Sequence, residues 1–153
     1  PKTTYFVILT STKMAKLVAF SIFIACGLCA PDFIYVSDRK NWADANAYCL
    51  STYGVTLAII DSYADNTRIR GKVSSDTWIG ASDTNVEGQW TWADGSAITY
   101  NKWGPGEPND YGGKEDCAKM NVGGSWNDVP CDWVIPFVCD KKDPTTSPTS
   151  MPS

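Results

Sequence analysis

The spacing of apolar residues predicts two helices in the first half of the chain. Trp42, Ala45 and Cys49 recur at helical spacing through an Ala-rich stretch, which places Cys49 on a buried helix face. Residues 62–65, Ser-Tyr-Ala-Asp, resemble a capping box that opens a second helix, and this helix is expected to end near Gly71.

Short apolar runs bounded by turn residues predict strands before and after these helices. Residues 33–36 predict an opening strand, and residues 57–60 predict a short apolar one. From Thr77 onward the pattern changes to short strands and long loops, with a turn at Asp94-Gly95. The later strands are predicted at residues 78–80, 89–92, 119–122, around Trp126, and at 137–139. Two early helices followed by a late antiparallel sheet predict an α+β domain.

Residues 14–30 have the order of a secretory signal peptide. A basic start at Met14 and Lys16 precedes an apolar run at 17–30, which is shorter than the roughly 20 residues that span a bilayer. Cleavage after Ala30 predicts a secreted, extracellular protein with no membrane span in the mature chain. Residues 1–13 are then an upstream or non-native segment, with a longer signal anchor as the alternative.

The six cysteines fall into two groups. Cys26 and Cys29 lie in the leader; a redox pair is the alternative for them, but the βαβ context of such a pair is missing. Four cysteines in a chain with a secretory leader predict two disulfides, and the sequence alone allows three pairings. These four are Cys49, Cys117, Cys131 and Cys139.

The last segment, residues 141–153, is rich in Pro, Thr and Ser and almost lacks apolar residues. Such a composition cannot offset the entropy of ordering the chain, so a disordered tail or an O-glycosylated stalk is predicted. A single domain at residues 31–140 remains between the leader and the tail.

Charge and composition argue against two classes of function, nucleic-acid binding and catalysis. The net charge is −4 and no Lys or Arg cluster occurs, which argues against nucleic-acid binding. The chain contains no His, so it lacks the commonest general base and the commonest zinc ligand. We therefore predict a binding protein and not an enzyme.

Acidic residues concentrate within residues 107–132, on and after a long polar loop at 103–113. One interpretation is a solvated acidic loop, and the other is a site for a hard cation such as Ca²⁺, which prefers six to eight oxygen ligands. Long loops in small domains are usually functional or disordered. The acidic members are Glu107, Asp110, Glu115, Asp116, Asp128 and Asp132.

A short motif in this loop favours the cation site. Glu107 and Asn109 flank Pro108, and a cis bond before the proline would let both side chains point the same way. Glu115 and the pair Asn127-Asp128 add further oxygen atoms. Three carboxylates and two amide carbonyls match the preference of Ca²⁺ and not that of a transition metal.

The motifs taken together resemble the C-type lectin family over residues 33–140. The resemblance rests on Trp78-Ile-Gly80, Trp90-x-Trp92-x-Asp-Gly95, Glu107-Pro-Asn109, Glu115-Asp-Cys117, Trp126-Asn-Asp128, Cys131 and Phe137-Val-Cys139, in this order and spacing. It implies a double-loop fold with two helices and two small antiparallel sheets. It further implies a Cys49–Cys139 bridge, a Cys117–Cys131 bridge and the short form of the domain.

The resemblance also implies a principal Ca²⁺ site that binds sugar directly. Two vicinal equatorial hydroxyls would complete the ion's shell and hydrogen-bond to the same side chains. The order Glu-Pro-Asn goes with mannose, N-acetylglucosamine and fucose, whereas galactose-preferring members carry Gln-Pro-Asp. Tyr111 and Val129 would flank the sugar ring. The implied ligands are Glu107, Asn109, Glu115, Asn127 and Asp128.

A second, accessory Ca²⁺ site is implied by the family pattern at five acidic positions. The alternative is that Asp83 and Glu87 are exposed turn residues. The five positions are Asp83, Glu87, Asp110, Glu115 and Asp116.

Other ligands and the oligomeric state stay open. A C-type lectin-like domain that binds a protein, mineral or ice surface is the alternative to sugar. Weak binding to a single sugar would gain from several copies, but no coiled-coil or collagen pattern indicates an oligomer. Trp78, Trp92 and Trp126 are expected in the core, and Trp103, Trp133 and Tyr111 are expected to offer exposed aromatic contacts.

Overall fold

A computed structural model describes residues 33–140, so the predicted leader and its upstream segment (1–30) and the tail (141–153) lie outside the described residues. The elements confirm the α+β class. They are β1 (Ile34–Lys40), α1 (Trp42–Tyr53), α2 (Tyr63–Arg70), β2 (Thr77–Ser82), β3 (Thr91–Trp92), β4 (Cys117–Met120), β5 (Trp126–Val129) and β6 (Ile135–Cys139).

Both helices begin at side-chain caps. The side chain of Asn41 accepts a hydrogen bond of 2.8 Å from the Asp44 N–H at the start of α1. Ser62 accepts one of 3.1 Å from the Asp65 N–H, and its hydroxyl donates back to the Asp65 carboxylate at 2.8 Å. The predicted start of the second helix is confirmed, as is its end before Gly71.

The strands form one sheet in the order β1-β6-β2-β4-β5, with β3 paired to β2. All pairs are antiparallel except β2 and β6, which run parallel and meet at Trp78 and Phe137. The two small antiparallel sheets that the resemblance implied are joined into one sheet, because this single parallel contact links the β1–β6 pair to the β2–β4–β5 group.

The strand predicted at residues 57–60 does not form. Leu57 makes an isolated bridge to Cys139. The Ala58 N–H donates to the Val138 carbonyl at 2.8 Å, while the Ala58 carbonyl accepts from the Gly80 N–H at 2.9 Å. The segment thus crosses between β6 and β2 and does not run along either, although Leu57, Ala58 and Ile60 are buried as their apolar character indicates.

Two disulfides brace the domain at different scales. Cys49–Cys139 joins α1 to β6 across 90 residues of sequence, and Cys117–Cys131 joins β4 to the segment after β5 across 14 residues. These pairings confirm those implied by the resemblance. Trp78, Trp92 and Trp126 are buried in the core as expected.

Candidate functional site

The long loop after β3 is anchored at its base by aromatic rings. Trp103 packs edge-on between Trp90 and Trp126, at centroid distances of 4.7 and 5.7 Å. Backbone hydrogen bonds of 2.8 Å link Gly104 N–H to the Trp126 carbonyl and Trp126 N–H to the Lys102 carbonyl. Trp103 is therefore largely a packing residue, which differs from its expected role as an exposed aromatic contact.

Trp126 is in turn held from the helical side of the domain. Its indole N–H donates to the Asn66 side chain at 2.8 Å, and the Asn66 amide donates to the Gly124 carbonyl at 2.9 Å. Asn66 is buried on α2, so this one side chain connects the helix to the hairpin that leads into β5. The sequence carried no signal for this role, because an Asn in a polar helix is ordinarily solvated.

Asp128 organises the tip of the loop from β5. Its Oδ2 accepts from the backbone N–H groups of Asn109 and Asp110, at 2.9 and 2.7 Å. The residue is 0% exposed, and its Oδ1 is a buried atom with no hydrogen-bond partner. A buried carboxylate oxygen without a hydrogen-bond donor is costly, and a ligand of positive charge would remove this cost.

Glu107, Asn109 and Asn127 meet beside Asp128. The Glu107–Pro108 bond is cis, and the Asn109 amide donates to the Glu107 carboxylate. One terminal atom of the Asn127 amide lies 2.7 and 2.9 Å from the two Glu107 carboxylate oxygens. With the amide nitrogen of Asn127 towards Glu107, these contacts are hydrogen bonds. With the amide oxygen towards Glu107, this oxygen and the two carboxylate oxygens form a cluster of three acceptors, as around a cation. Burial raises the pKa of Glu107, and the neighbouring Asp128 adds to the shift.

Backbone contacts fold the remainder of the loop around Asp110, whose φ of 44° lies in the left-handed region. Its side chain accepts from the Glu115 N–H at 3.1 Å, and the Glu115 carboxylate accepts from the Tyr111 N–H at 2.9 Å. Asp tolerates this conformation better than most residues because its short polar side chain bonds locally. The loop thereby brings Glu115 next to the Glu107 group.

A second group of carboxylates lies beside the first. Asp83 is 3% exposed; its Oδ2 accepts from the Gly88 N–H at 2.9 Å, while its buried Oδ1 has no partner. Desolvation raises the pKa of Asp83, and the negative charges of Asp116 and Asp110 raise it further. Desolvation and the charges of Asp110, Asp83 and Asp116 likewise raise the pKa of the exposed Glu87. Asp83 is thus not an exposed turn residue, whereas Glu87 is exposed.

The donor chemistry of both groups fits Ca²⁺. The side chains of each group offer oxygen atoms as metal ligands. Each group also contains one buried carboxylate oxygen without a hydrogen bond, Asp128 Oδ1 in the first and Asp83 Oδ1 in the second. Within residues 33–140 no three Cys, Asp or Glu side chains form a ready-made metal cage. The carboxylates instead stand in two neighbouring groups, and in the first group amides take part.

The structure separates the two residues expected to flank a bound sugar. Tyr111 is 82% exposed on the loop and is free to contact a ligand. Val129 is only 1% exposed and packs in the core around the Cys49–Cys139 bridge. Its predicted contact with a sugar ring is therefore wrong for this arrangement, because β5 turns its side chain inward. No helix in the described part of the chain is long and apolar enough to cross a membrane.

Comparisons with known proteins agree with this architecture. The family model for the lectin C-type domain matches residues 38–141. A lactose-binding lectin of Anguilla japonica is 39% identical over 116 residues, which are 70% of this chain and 69% of the relative. The homologues are lectins and receptors, and the chain spans 38%, 29% and 55% of the length of the first curated relatives it matches.

Solved structures with the same fold differ in their stated roles. The mouse scavenger receptor C-type lectin carbohydrate-recognition domain has a TM-score of 0.68 and 29% identity, over 74% of this chain and 94% of that one. The herring type II antifreeze protein has a TM-score of 0.64 and 30% identity, over 70% and 87%. On its sequence, its fold and its two disulfides, the chain belongs to the C-type lectin domain family.

Proposed function

We propose that this domain is a secreted, calcium-dependent carbohydrate-binding protein for mannose-type glycans, with no catalytic activity. The observation that carries the proposal is the meeting of Glu107, Asn109 and Asn127 beside the unpartnered Oδ1 of Asp128. Oxygen donors are brought together here at the protein surface, and the backbone around them is fixed by hydrogen bonds to Asp128.

Five side chains would hold the principal ion, and their hydrogen-bonding capacity also suits a sugar. When bound, Ca²⁺ would supply coordination sites for two vicinal hydroxyl groups. The carboxylates accept hydrogen bonds from hydroxyl protons, and the Asn amides donate to hydroxyl oxygens. The five are Glu107, Asn109, Glu115, Asn127 and Asp128.

The order of Glu and Asn across Pro108 supports equatorial hydroxyls, as in mannose, N-acetylglucosamine and fucose. Membership of the family does not fix the sugar by itself, since the eel relative is named for lactose, a galactoside. The asymmetry of Glu107 as acceptor and Asn109 as donor therefore carries the proposed specificity. Tyr111, on the same loop, is the exposed aromatic candidate for contact with the ring.

The second group of carboxylates would hold an accessory Ca²⁺. Asp110 and Glu115 belong to both neighbourhoods, because Asp110 donates its N–H to Asp128 and accepts from the Glu115 N–H. An ion in the second group would offset both the desolvation and the mutual repulsion that raise the pKa of Asp83 and Glu87. It would also hold the loop in the form that the principal site needs. The accessory ligands are Asp83, Glu87, Asp110, Glu115 and Asp116.

A surface of ice, mineral or protein is the alternative ligand, and the fold shared with the herring antifreeze protein is the reason to test it. Such surfaces are recognised by extended flat contacts, whereas the group around Asp128 is a local set of oxygen donors. Assays of the same protein on ice, on mineral and on sugar separate the two functions. Sugar binding without ice or mineral binding is expected.

The test is a glycan array run with calcium and again with a chelator. Binding to mannose- or fucose-type glycans that is lost on chelation is expected. Glu107→Gln and Asn127→Ala should each abolish it, while the matched control Asp38→Asn, an exposed carboxylate on β1, should leave it unchanged. Galactose binding, or binding that survives the chelator, would overturn the proposal.

Secretion is tested separately, by expressing residues 14–153 in a eukaryotic secretory system and sequencing the amino terminus of the product. A mature protein in the medium beginning at Pro31 is expected. Retention in the cell with an uncleaved leader would overturn this part of the proposal.

A further inference from the structure

An exposed tryptophan and the proposed sugar site have one neighbour in common, Lys119. Lys119 on β4 stands directly opposite Asn127 on β5, and such cross-strand neighbours have Cβ atoms about 4.5–5.5 Å apart. The Lys119 ammonium lies 5.8 Å from the centroid of the Trp133 ring. Lys119 therefore contacts the Trp133 ring from a strand position whose side chain shares a face of the hairpin with Asn127.

The exposure of Trp133 is not explained by packing. Its side chain is 45% exposed and the adjacent Val134 is 58% exposed, whereas Trp78, Trp92 and Trp126 are buried. A large aromatic ring held at the surface forgoes the free energy of burial, and such residues often mark binding sites. Together the two residues form an exposed apolar surface near a polar site.

The ring is held on a fixed support. The backbone N–H of Trp133 donates to the Pro130 carbonyl at 3.2 Å. Cys131, two residues earlier, is linked to Cys117 by the second disulfide. The Cys131 carbonyl also accepts from the Trp42 N–H at 3.0 Å. A ligand that meets a pre-organised ring loses less entropy on binding than one that must order a mobile loop.

Lys119 is fixed beneath the ring as well. Its ammonium pairs with Asp76 and donates to the Asn121 side chain at 3.0 Å, so that it is almost fully buried. An aromatic face carries partial negative charge and attracts positive partners. With the ammonium held over one face, the exposed part of the indole is left for a partner with electron-poor C–H groups and little need of hydrogen bonds.

We propose that Trp133, with Val134, forms a second subsite that stacks on the apolar face of the pyranose ring next to the calcium-held sugar in an oligosaccharide. The inference rests on the proposed function, because the first sugar must sit at Asn127 to bring its neighbour over the indole. The subsite makes the domain selective for oligosaccharides over single sugars. Tyr111, on the loop, serves the first sugar and not the second.

The experiment compares methyl α-mannopyranoside with the three α-linked mannobioses by calorimetric titration in calcium. At least one disaccharide should bind the native protein about 2- to 10-fold more tightly than the monosaccharide, as expected for one aromatic contact. Trp133→Ala should remove this gain without changing monosaccharide affinity, and Trp133→Phe should keep part of it. Tyr111→Ala, the matched control, should weaken both ligands by the same factor.

The outcomes separate the two levels of the proposal. If the native protein binds no mannoside in calcium, the proposed function fails and the subsite fails with it. If the monosaccharide binds but no disaccharide gains, or if the gain survives in Trp133→Ala, only the subsite is overturned. Equal loss of both ligands in Trp133→Ala, with unchanged thermal stability, would also overturn it, since it would place Trp133 at the first sugar.

Discussion

The two ends of the sheet satisfy their buried groups in opposite ways. Around the Cys49–Cys139 bridge, apolar side chains such as Trp78 and Phe137 pack against each other and the disulfide closes the core. Around the long loop, buried carboxylate oxygens of Asp83 and Asp128 have no hydrogen-bond partner. The first region satisfies its buried side chains by apolar packing, while in the second we propose that a cation supplies the missing partners. This difference separates residues that maintain the fold from residues that bind.

The largest effect should distinguish the two disulfides. Replacing Cys49 and Cys139 by Ala removes a cross-link over 90 residues and should lower the free energy of unfolding by about 4–5 kcal/mol. Replacing Cys117 and Cys131, which span 14 residues, should cost about 3 kcal/mol and in addition abolish sugar binding. Urea unfolding and glycan binding on both double variants measure this. Equal effects on binding would mean that the second bridge does not brace the site.

Calcium should stabilise the folded domain through contacts at its loop end. At an ion concentration of about 100 times Kd, the free energy of unfolding should rise by about 2.7 kcal/mol for one site. Thermal unfolding with calcium and with a chelator measures the change. Asp128→Ala should remove the share that the principal site contributes, whereas the Asp38→Asn control should retain the full stabilisation; a stabilisation that is undiminished without Asp128 would place the principal ion elsewhere.

Asn66 connects the two regions, so its replacement should affect both stability and binding. Asn66→Ala leaves the Trp126 indole N–H and the Gly124 carbonyl without partners, at a cost of about 1–3 kcal/mol. Sugar affinity should fall because β5 follows directly. Thr67→Ala, an exposed neighbour on the same helix, is the control. An Asn66→Ala variant of native stability would show that water replaces the side chain.

The smallest effect is the pH dependence of the calcium-free protein. The pKa values of Asp83, Glu87 and Glu107 are raised from ordinary values of 3.8, 4.5 and 4.5, so the folded state binds these protons more tightly than the unfolded chain. Their stabilising contribution is complete below the ordinary values and is lost as pH rises through the folded-state values. In chelator, the contribution of these three groups to the free energy of unfolding should therefore decrease as pH rises above about 4. Calcium should cancel the decrease. Unfolding curves in chelator and in calcium across this range check the sign.

Local sequence signals predicted much of the fold. Helix spacing and caps gave both helices, and aromatic and apolar runs gave most strands, because these features depend on near neighbours. Residues 57–60 were the exception: their apolar run indicated a strand, but Ala58 bonds to two different strands. Burial was predicted there correctly, whereas pairing was not, since pairing is decided by segments distant in sequence.

For the site, the sequence by itself determined which oxygen donors the chain offers and in what order around Pro108. Only the tertiary structure decided how they are divided: Asp128 holds the loop backbone, Val129 turns inward, and Asp83 joins Asp110 and Asp116 across the sheet. It alone placed Lys119 opposite Asn127 and Trp133 over Lys119. The physical reason is that residue type fixes donor chemistry, whereas burial and distance depend on strand register and on the two cross-links that bring remote segments together.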